Sequence, residues 1–172
     1  IRIGTSGGMD LKVSGGDLVI ASAAVRGEGT TAEYLPIDYP AVADFAVVDA
    51  LKKAAEITST NDIGNRYHIG VVHSKDSFYG EVEPENSPVG DNILSRWDSY
   101  LKCGCLTSEM ECAAVFSVGI ARGARCGGVL TALWNVERSK AGLPDNITDD
   151  SSRAIRCAVD AIKVLIKEDR DK

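Results

Sequence analysis

Short apolar runs of strand length alternate with amphipathic stretches of helix length along the whole 172-residue chain. This alternation limits the fold more than any single motif does. Strands followed by helices build a mostly parallel sheet covered on both faces. Asp17-Leu18-Val19-Ile20-Ala21-Ser22 reads as a strand entered through the Gly15-Gly16 turn. Pro40 lies near the start of a helix whose stripe runs through Phe45, Val48, Leu51 and Ala55. Residues 68–73 and 127–134 read as further strands, and residues 90–102 as a helix with Ile93, Leu94, Trp97 and Leu101 on one side. The last helix, over 151–167, carries Ile155, Ala158, Val159, Ile162, Leu165 and Ile166 at helical spacing. The expectation is one α/β domain over residues 1–172, a three-layer α/β/α arrangement around a central mixed, mostly parallel sheet.

Composition removes several classes of function. The net charge of −6 opposes nucleic-acid binding, which needs a basic surface. No apolar run approaches the roughly 20 residues of a membrane span. The five cysteines are odd in number and form no CxxC pair, which favours a reducing, cytoplasmic setting over a disulfide framework or a zinc site. His68 and His73 are an odd number of residues apart on one strand, so they face opposite ways and share no metal.

In layered α/β folds ligands gather at the C-terminal ends of strands. Four such ends carry chemistry: residues 4–8, 75–86, 107–111 and 135–138. In Ile1-Arg2-Ile3-Gly4-Thr5-Ser6-Gly7-Gly8 the two isoleucines read as the end of a buried strand and residues 4–8 as a tight turn. The Arg2 guanidinium, the Thr5 hydroxyl and free backbone N–H groups then suit a phosphate or similar anion. A chain that starts inside a strand is expected to be part of a longer one, and alone to expose a sheet edge. Ser108-Glu109-Met110-Glu111 taken alone fits first a helix-starting capping box, and as the alternative a carboxylate aimed at a vicinal diol. Phe78 and Tyr79 serve either ordinary packing or a platform for a flat heterocycle. Asn135 after a buried run is by itself a turn former.

The order of these segments carries more than any one of them. RIGTSGG, EYLPIDYPAVADF, KDSFYG, SEMECAAVF and LWNVER occur in one register. Together they resemble the nucleoside phosphorylase family of uridine phosphorylases and hexameric purine nucleoside phosphorylases, and the uridine branch most. The resemblance covers essentially the whole chain and implies that about the first third of the family's chain, with a second phosphate loop, is absent. It implies phosphorolysis of uridine to uracil and ribose 1-phosphate, with phosphate as co-substrate and neither cofactor nor metal. The alternatives are a purine phosphorylase acting on inosine or guanosine, a nucleosidase using water, and an inactive nucleoside-binding fragment. By the same resemblance Arg2 and Thr5 bind phosphate, Glu111 takes the ribose hydroxyls with Met110 beneath the sugar, and Thr5 lies near it. Ser6, Gly7 and Phe78 face the base. The family's oligomers imply a homo-oligomer, a hexamer of dimers.

Two positions depart from the uridine branch. Glu81 stands where that branch has a base-reading glutamine, and Asn86 falls at or near its arginine. An ionised Glu81 only accepts hydrogen bonds, which suits guanine better than the O2 of uracil. Asn135 pulls the other way, because the purine enzymes usually place a proton-donating aspartate there. Arg138 is a candidate replacement donor to the base. On the uridine reading, Glu81→Gln is expected to preserve or raise activity on uridine.

Overall fold

A computed structural model describes residues 1–171. Six strands form one sheet: β1 (Arg2–Gly8), β2 (Leu18–Gly27), β3 (Ala41–Val42), β4 (Tyr67–Lys75), β5 (Thr107–Glu109) and β6 (Gly128–Asn135), in the order β3-β2-β4-β5-β1-β6. β6 also pairs back onto β2, with Leu18 opposite Thr131 and Ala21 opposite Gly128. Five strands therefore close into a ring, and β3 attaches outside it through Ala23 and Ala24. The pairs β1–β6, β2–β4 and β4–β5 are parallel, and the other three are antiparallel. The mixed α/β architecture matches the expectation. The ring closure was not legible, since alternation says nothing about which edges meet.

The pleat divides the apolar residues between two helix layers. Leu18 and Ile20 of β2, with Val129 of β6, pack against α1 (Phe45–Thr58) and α6 (Ser152–Arg170). Val19 and Ala21, with Leu130 and Ala132, face the opposite way, towards Phe116 of α4 (Cys112–Arg122). Each fully buried large side chain here stabilises the fold by about 1.5–3 kcal/mol.

Both outer helices present smaller residues to the core than their apolar stripes suggested. In α1 the buried set is Val47, Ala50, Leu51, Ala54 and Ala55, while Phe45 at the helix start is 83% exposed. The helix begins at Phe45 because Asp44 caps it, accepting from the Val47 N–H at 3.2 Å. In α6 the buried residues are Ala154, Cys157, Ala158 and Ala161, and Ile155, Val159, Ile162 and Ile166 stay nearly half exposed. The two alanine faces meet, and small side chains let the helices approach closely.

Residues 4–8 are not a turn. β1 runs unbroken from Arg2 to Gly8, pairs with β6 over its whole length, and carries only a bulge between Ser6 and Gly7. None of its glycines has a positive φ. Two serve close approach instead: the Arg2 side chain lies across Gly4, and a Cβ at Gly8 would stand 2.7 Å from Asn135 Cβ. On its other edge β1 meets β5 at Gly7 and Gly8 alone among the described residues.

A buried carboxylate ties the starts of β2 and β4 together. Asp17 accepts from the backbone N–H groups of Ser14, Gly64 and Arg66, and from Arg66 Nη2 at 3.2 Å; His68 Nε2 lies 2.9 Å away. Burial pushes the Asp17 carboxyl up, but His68, the Ser14 N–H and Arg66 more than offset it, so its pKa lies below the ordinary value. A lowered folded pKa means that the unfolded chain binds this proton more tightly. The stabilisation is therefore complete above the unfolded value of about 4, and is lost as pH falls through the lower folded value. In urea titrations stepped downward from pH 5, Asp17→Asn is expected to show a shallower loss of stability than the parent. Parallel curves would remove Asp17 as a source of the acid sensitivity.

Candidate active site

One cavity of about 770 Å³ opens where the C-terminal parts of β1, β4 and β5 meet, within the size range of small-molecule sites. Its roof comes from residues that do not join the sheet: α2 (Phe78–Val82), a short 3-10 turn at Pro84–Asn86, and α3 (Gly90–Lys102). The apolar stripe of α3 does not enter the core. Ile93, Leu94 and Trp97 line the cavity, and Trp97 Nε1 donates to Glu137 Oε1 at 2.9 Å, fastening α3 to α5 (Val136–Lys140).

Alternation along β4 and β5 builds two polar clusters in this wall. Ser74 pairs in register with Glu109, and His73 with Ser108, so neighbouring residues serve different clusters. In the first cluster Glu109 is fully buried. Its Oε2 accepts from the N–H groups of Glu111 and Cys112 at 2.9 Å, capping α4, and Ser74 Oγ donates to its other oxygen. The expected Ser108–Glu111 capping box is absent because Glu109 does this work. Glu111 is thereby released: its side chain is 56% exposed and pairs with the Arg2 guanidinium, which also lies 3.4 Å from Glu109. Burial opposes the Arg2 charge, and Glu111 and Glu109 more than restore it. Arg2 Nη1 is buried without a hydrogen-bond partner among the described residues. A buried, charged, unpaired donor costs free energy until an acceptor reaches it.

In the second cluster Lys75 Nζ donates to Glu81 Oε2 and to Ser108 Oγ, both at 2.6 Å, and Ser108 Oγ donates to Glu81 Oε2 at 2.8 Å. His73 Nδ1 lies 3.1 Å from the other Glu81 oxygen, with Tyr100 packed on its ring at 4.7 Å between centroids. Burial raises the Glu81 carboxyl, yet His73 and Lys75 outweigh it and hold the pKa below the carboxylate norm. Lys75 also stands 5.7 Å from the centre of the Phe78 ring.

Arg2, Thr5, Ser6, Gly7, Phe78, Glu81, Met110 and Glu111 all line the cavity, although they come from three separate stretches of chain. The Ser6 hydroxyl itself turns to the Thr131 carbonyl at 3.4 Å. Two other expectations need correction. Asn135 is buried outside the lining: its Nδ2 donates to the carbonyls of Asp10 and Val13, and its Oδ1 accepts from Glu137 and Arg138 to cap α5. Arg138 holds the carbonyls of Leu11 and Pro144 and is likewise outside. Asn86 is exposed on the roof and donates to Glu83 at 3.1 Å. Lys75 was missed. Its sequence signal was a lone cation ending a buried strand run, one residue from the aromatic segment.

The Arg2 pocket suits an anion beside a diol acceptor. Since the guanidinium lies over Gly4, Gly4→Ala forces its flexible end aside without touching backbone. The expected result is phosphate binding weakened roughly 10-fold, the worth of one weakened charged hydrogen bond, at near-parental stability. Unchanged phosphate affinity would separate Arg2 from anion binding.

The profile of the phosphorylase superfamily matches residues 1–167. The chain is 46% identical over 169 residues to a uridine phosphorylase of Treponema pallidum, covering 98% of this chain and 64% of that protein. It is 36% identical over 177 residues to a uridine phosphorylase of Thermococcus kodakarensis, covering 100% and 59%. With a guanosine phosphorylase of Halorubrum lacusprofundi the identity is 32% over 172 residues, covering 96% and 65%. The chain thus spans less than two thirds of the length of each of these relatives.

Proposed function

This chain belongs to the phosphorylase superfamily, and we propose from that premise that its protein is a uridine phosphorylase. The observation that carries the reading is Arg2, whose buried Nη1 lacks a hydrogen-bond partner among the described residues while its Nη2 pairs with Glu111, a half-exposed carboxylate in the same cavity. Phosphate sits on Arg2 and Thr5, and the ribose hydroxyls bond to Glu111 over Met110. The phosphate oxygen attacks C1′ as the glycosidic bond breaks and its electron pair leaves with the base. Holding both reactants in one cavity supplies much of the acceleration.

The objection that Glu81 would repel uracil O2 loses its basis, because Lys75 lies against the carboxylate as its counter-ion and lines the same cavity. For the same reason Glu81→Gln strips Lys75 of its counter-ion, and the expectation for uridine reverses from gain to loss. The names of the Treponema and Thermococcus relatives support uridine, and the Halorubrum relative keeps guanosine as the second reading. No cofactor takes part, and the protein works as a homo-oligomeric hexamer in the cytoplasm. No helix among the described residues is long and apolar enough to cross a membrane.

The test is cleavage of uridine, inosine and guanosine by the full-length protein, with and without phosphate. Phosphate-dependent release of uracil is expected. Cleavage of purine nucleosides alone would replace the first reading with the second, and equal rates without phosphate would make the protein a hydrolase.

A further inference from the structure

Lys75 and Glu81 form the one lysine–glutamate ion pair buried in the cavity wall among the described residues, with both side chains about nine-tenths buried. An ammonium has three N–H groups, and Lys75 spends one on Glu81 and one on Ser108. A carboxylate offers about four lone-pair positions. Glu81 receives Lys75 and Ser108 on one oxygen and has His73 Nδ1 beside the other. One Lys75 N–H and one Glu81 lone-pair position are therefore left over, on two residues that line the cavity together with Phe78 and are both bonded by Ser108.

We propose that Lys75 and Glu81 together read the edge of an oxo base, Lys75 donating to a ring carbonyl and Glu81 accepting from the adjacent ring N–H. The inference rests on the reading of this cavity as a nucleoside site. Uracil offers that carbonyl and N–H pair, and so do hypoxanthine and guanine. Cytosine and adenine reverse it, with an amino group facing the ammonium and a bare ring nitrogen facing the carboxylate. Such a mismatch replaces two hydrogen bonds with two repulsive contacts inside a buried wall, a larger penalty than a missing contact. Lys75 also acts in the chemical step. As the C1′–N1 bond of uridine breaks, its electron pair passes into the ring and charge reaches the carbonyl oxygens, one of which Lys75 stabilises while phosphate forms the new C1′–O bond.

The experiment uses the full-length protein and two measurements. Equilibrium binding by calorimetry compares uridine with cytidine and inosine with adenosine, in the parent, in Lys75→Met and in Lys75→Met/Glu81→Gln. The double variant removes both charges together, so no orphan ion is left to unfold the site. The parent is expected to favour each oxo nucleoside by about 100-fold or more, and the double variant to lose most of that preference. Phosphorolysis then compares uridine with 5-fluorouridine, whose base departs more easily. Lys75→Met should slow uridine about 10- to 100-fold, and 5-fluorouridine distinctly less. A parent without oxo preference, or a double variant that retains it, overturns the proposal even if the protein is a phosphorylase. Lys75-dependent oxo binding without any nucleoside cleavage supports this proposal and overturns the phosphorylase reading instead.

Discussion

Arg2→Met is expected to lower kcat/KM for phosphate-dependent cleavage about 1,000-fold, the scale seen when one preorganised charged donor is lost from a reacting oxyanion. The loss should fall on phosphate rather than on nucleoside binding, because Glu111 remains to hold the ribose. The fold should survive. Glu109, the buried carboxylate that Arg2 touches, keeps its bonds from Ser74, Glu111 N–H and Cys112 N–H. Lys75 and Lys140, the other cations of the cavity wall, are bound to Glu81 and Glu137 and do not replace it. Arg2→Lys keeps the charge and loses the planar fork, so an intermediate rate is expected. Steady-state kinetics with phosphate varied, alongside thermal unfolding, decide the matter. A methionine variant with an unaltered phosphate KM would place the anion elsewhere.

Asn135→Asp should destabilise the protein by about 3–5 kcal/mol, the cost of leaving a buried charge unpaired. The amide donates to two carbonyls at 2.8 and 2.9 Å, and a carboxylate would turn an acceptor towards both. Asp145 already accepts from the Asn135 N–H at 2.6 Å, so a second negative charge arrives beside the first. The prediction separates two accounts of this position. At the base, an aspartate would supply a proton and raise purine cleavage; as the cap of α5 that braces the turn between β1 and β2, it only weakens the fold. Denaturant unfolding and inosine phosphorolysis of the same variant report each outcome. Parental stability with a gain on inosine would restore Asn135 to the base site.

The contrast between Glu109 and Glu111 shows what the sequence could carry. Their position after a short strand run announced a helix start and a carboxylate in the cleft, but two carboxylates two residues apart are equivalent on paper. Which one caps the helix depends on Ser74 and Arg2, far away in the chain. Arg2, Thr5 and Phe78 were legible as cavity residues from their segments, although Arg2 opens β1 and Thr5 lies within it where a strand end and a turn were expected. Glu81 was legible as a cavity residue but its counter-ion was not, because Lys75 and Ser108, which bond to it, lie on β4 and β5. Asn135 misled for a related reason. Its amide is absorbed by the turn residues Asp10 and Val13, and periodicity does not report loop packing. In α1 and α6 the large apolar residues suggested the buried face, whereas close helix contact selected the alanines.

The closed ring of strands has a consequence in time. Arg2 and Thr5 lie on β1, whose lengthwise partner is β6, yet the chain between them is most of the molecule. At about 5–20 residues per second, synthesis reaches β6 roughly 6–25 s after β1. Throughout that interval the strand that carries Arg2 lacks the neighbour that fixes its course. The nascent protein can assemble α1, β2 and β4 early, but its anion pocket is completed only when the ring shuts. Slow codons or truncation before residue 128 should therefore yield chains with a formed core and no grip on phosphate.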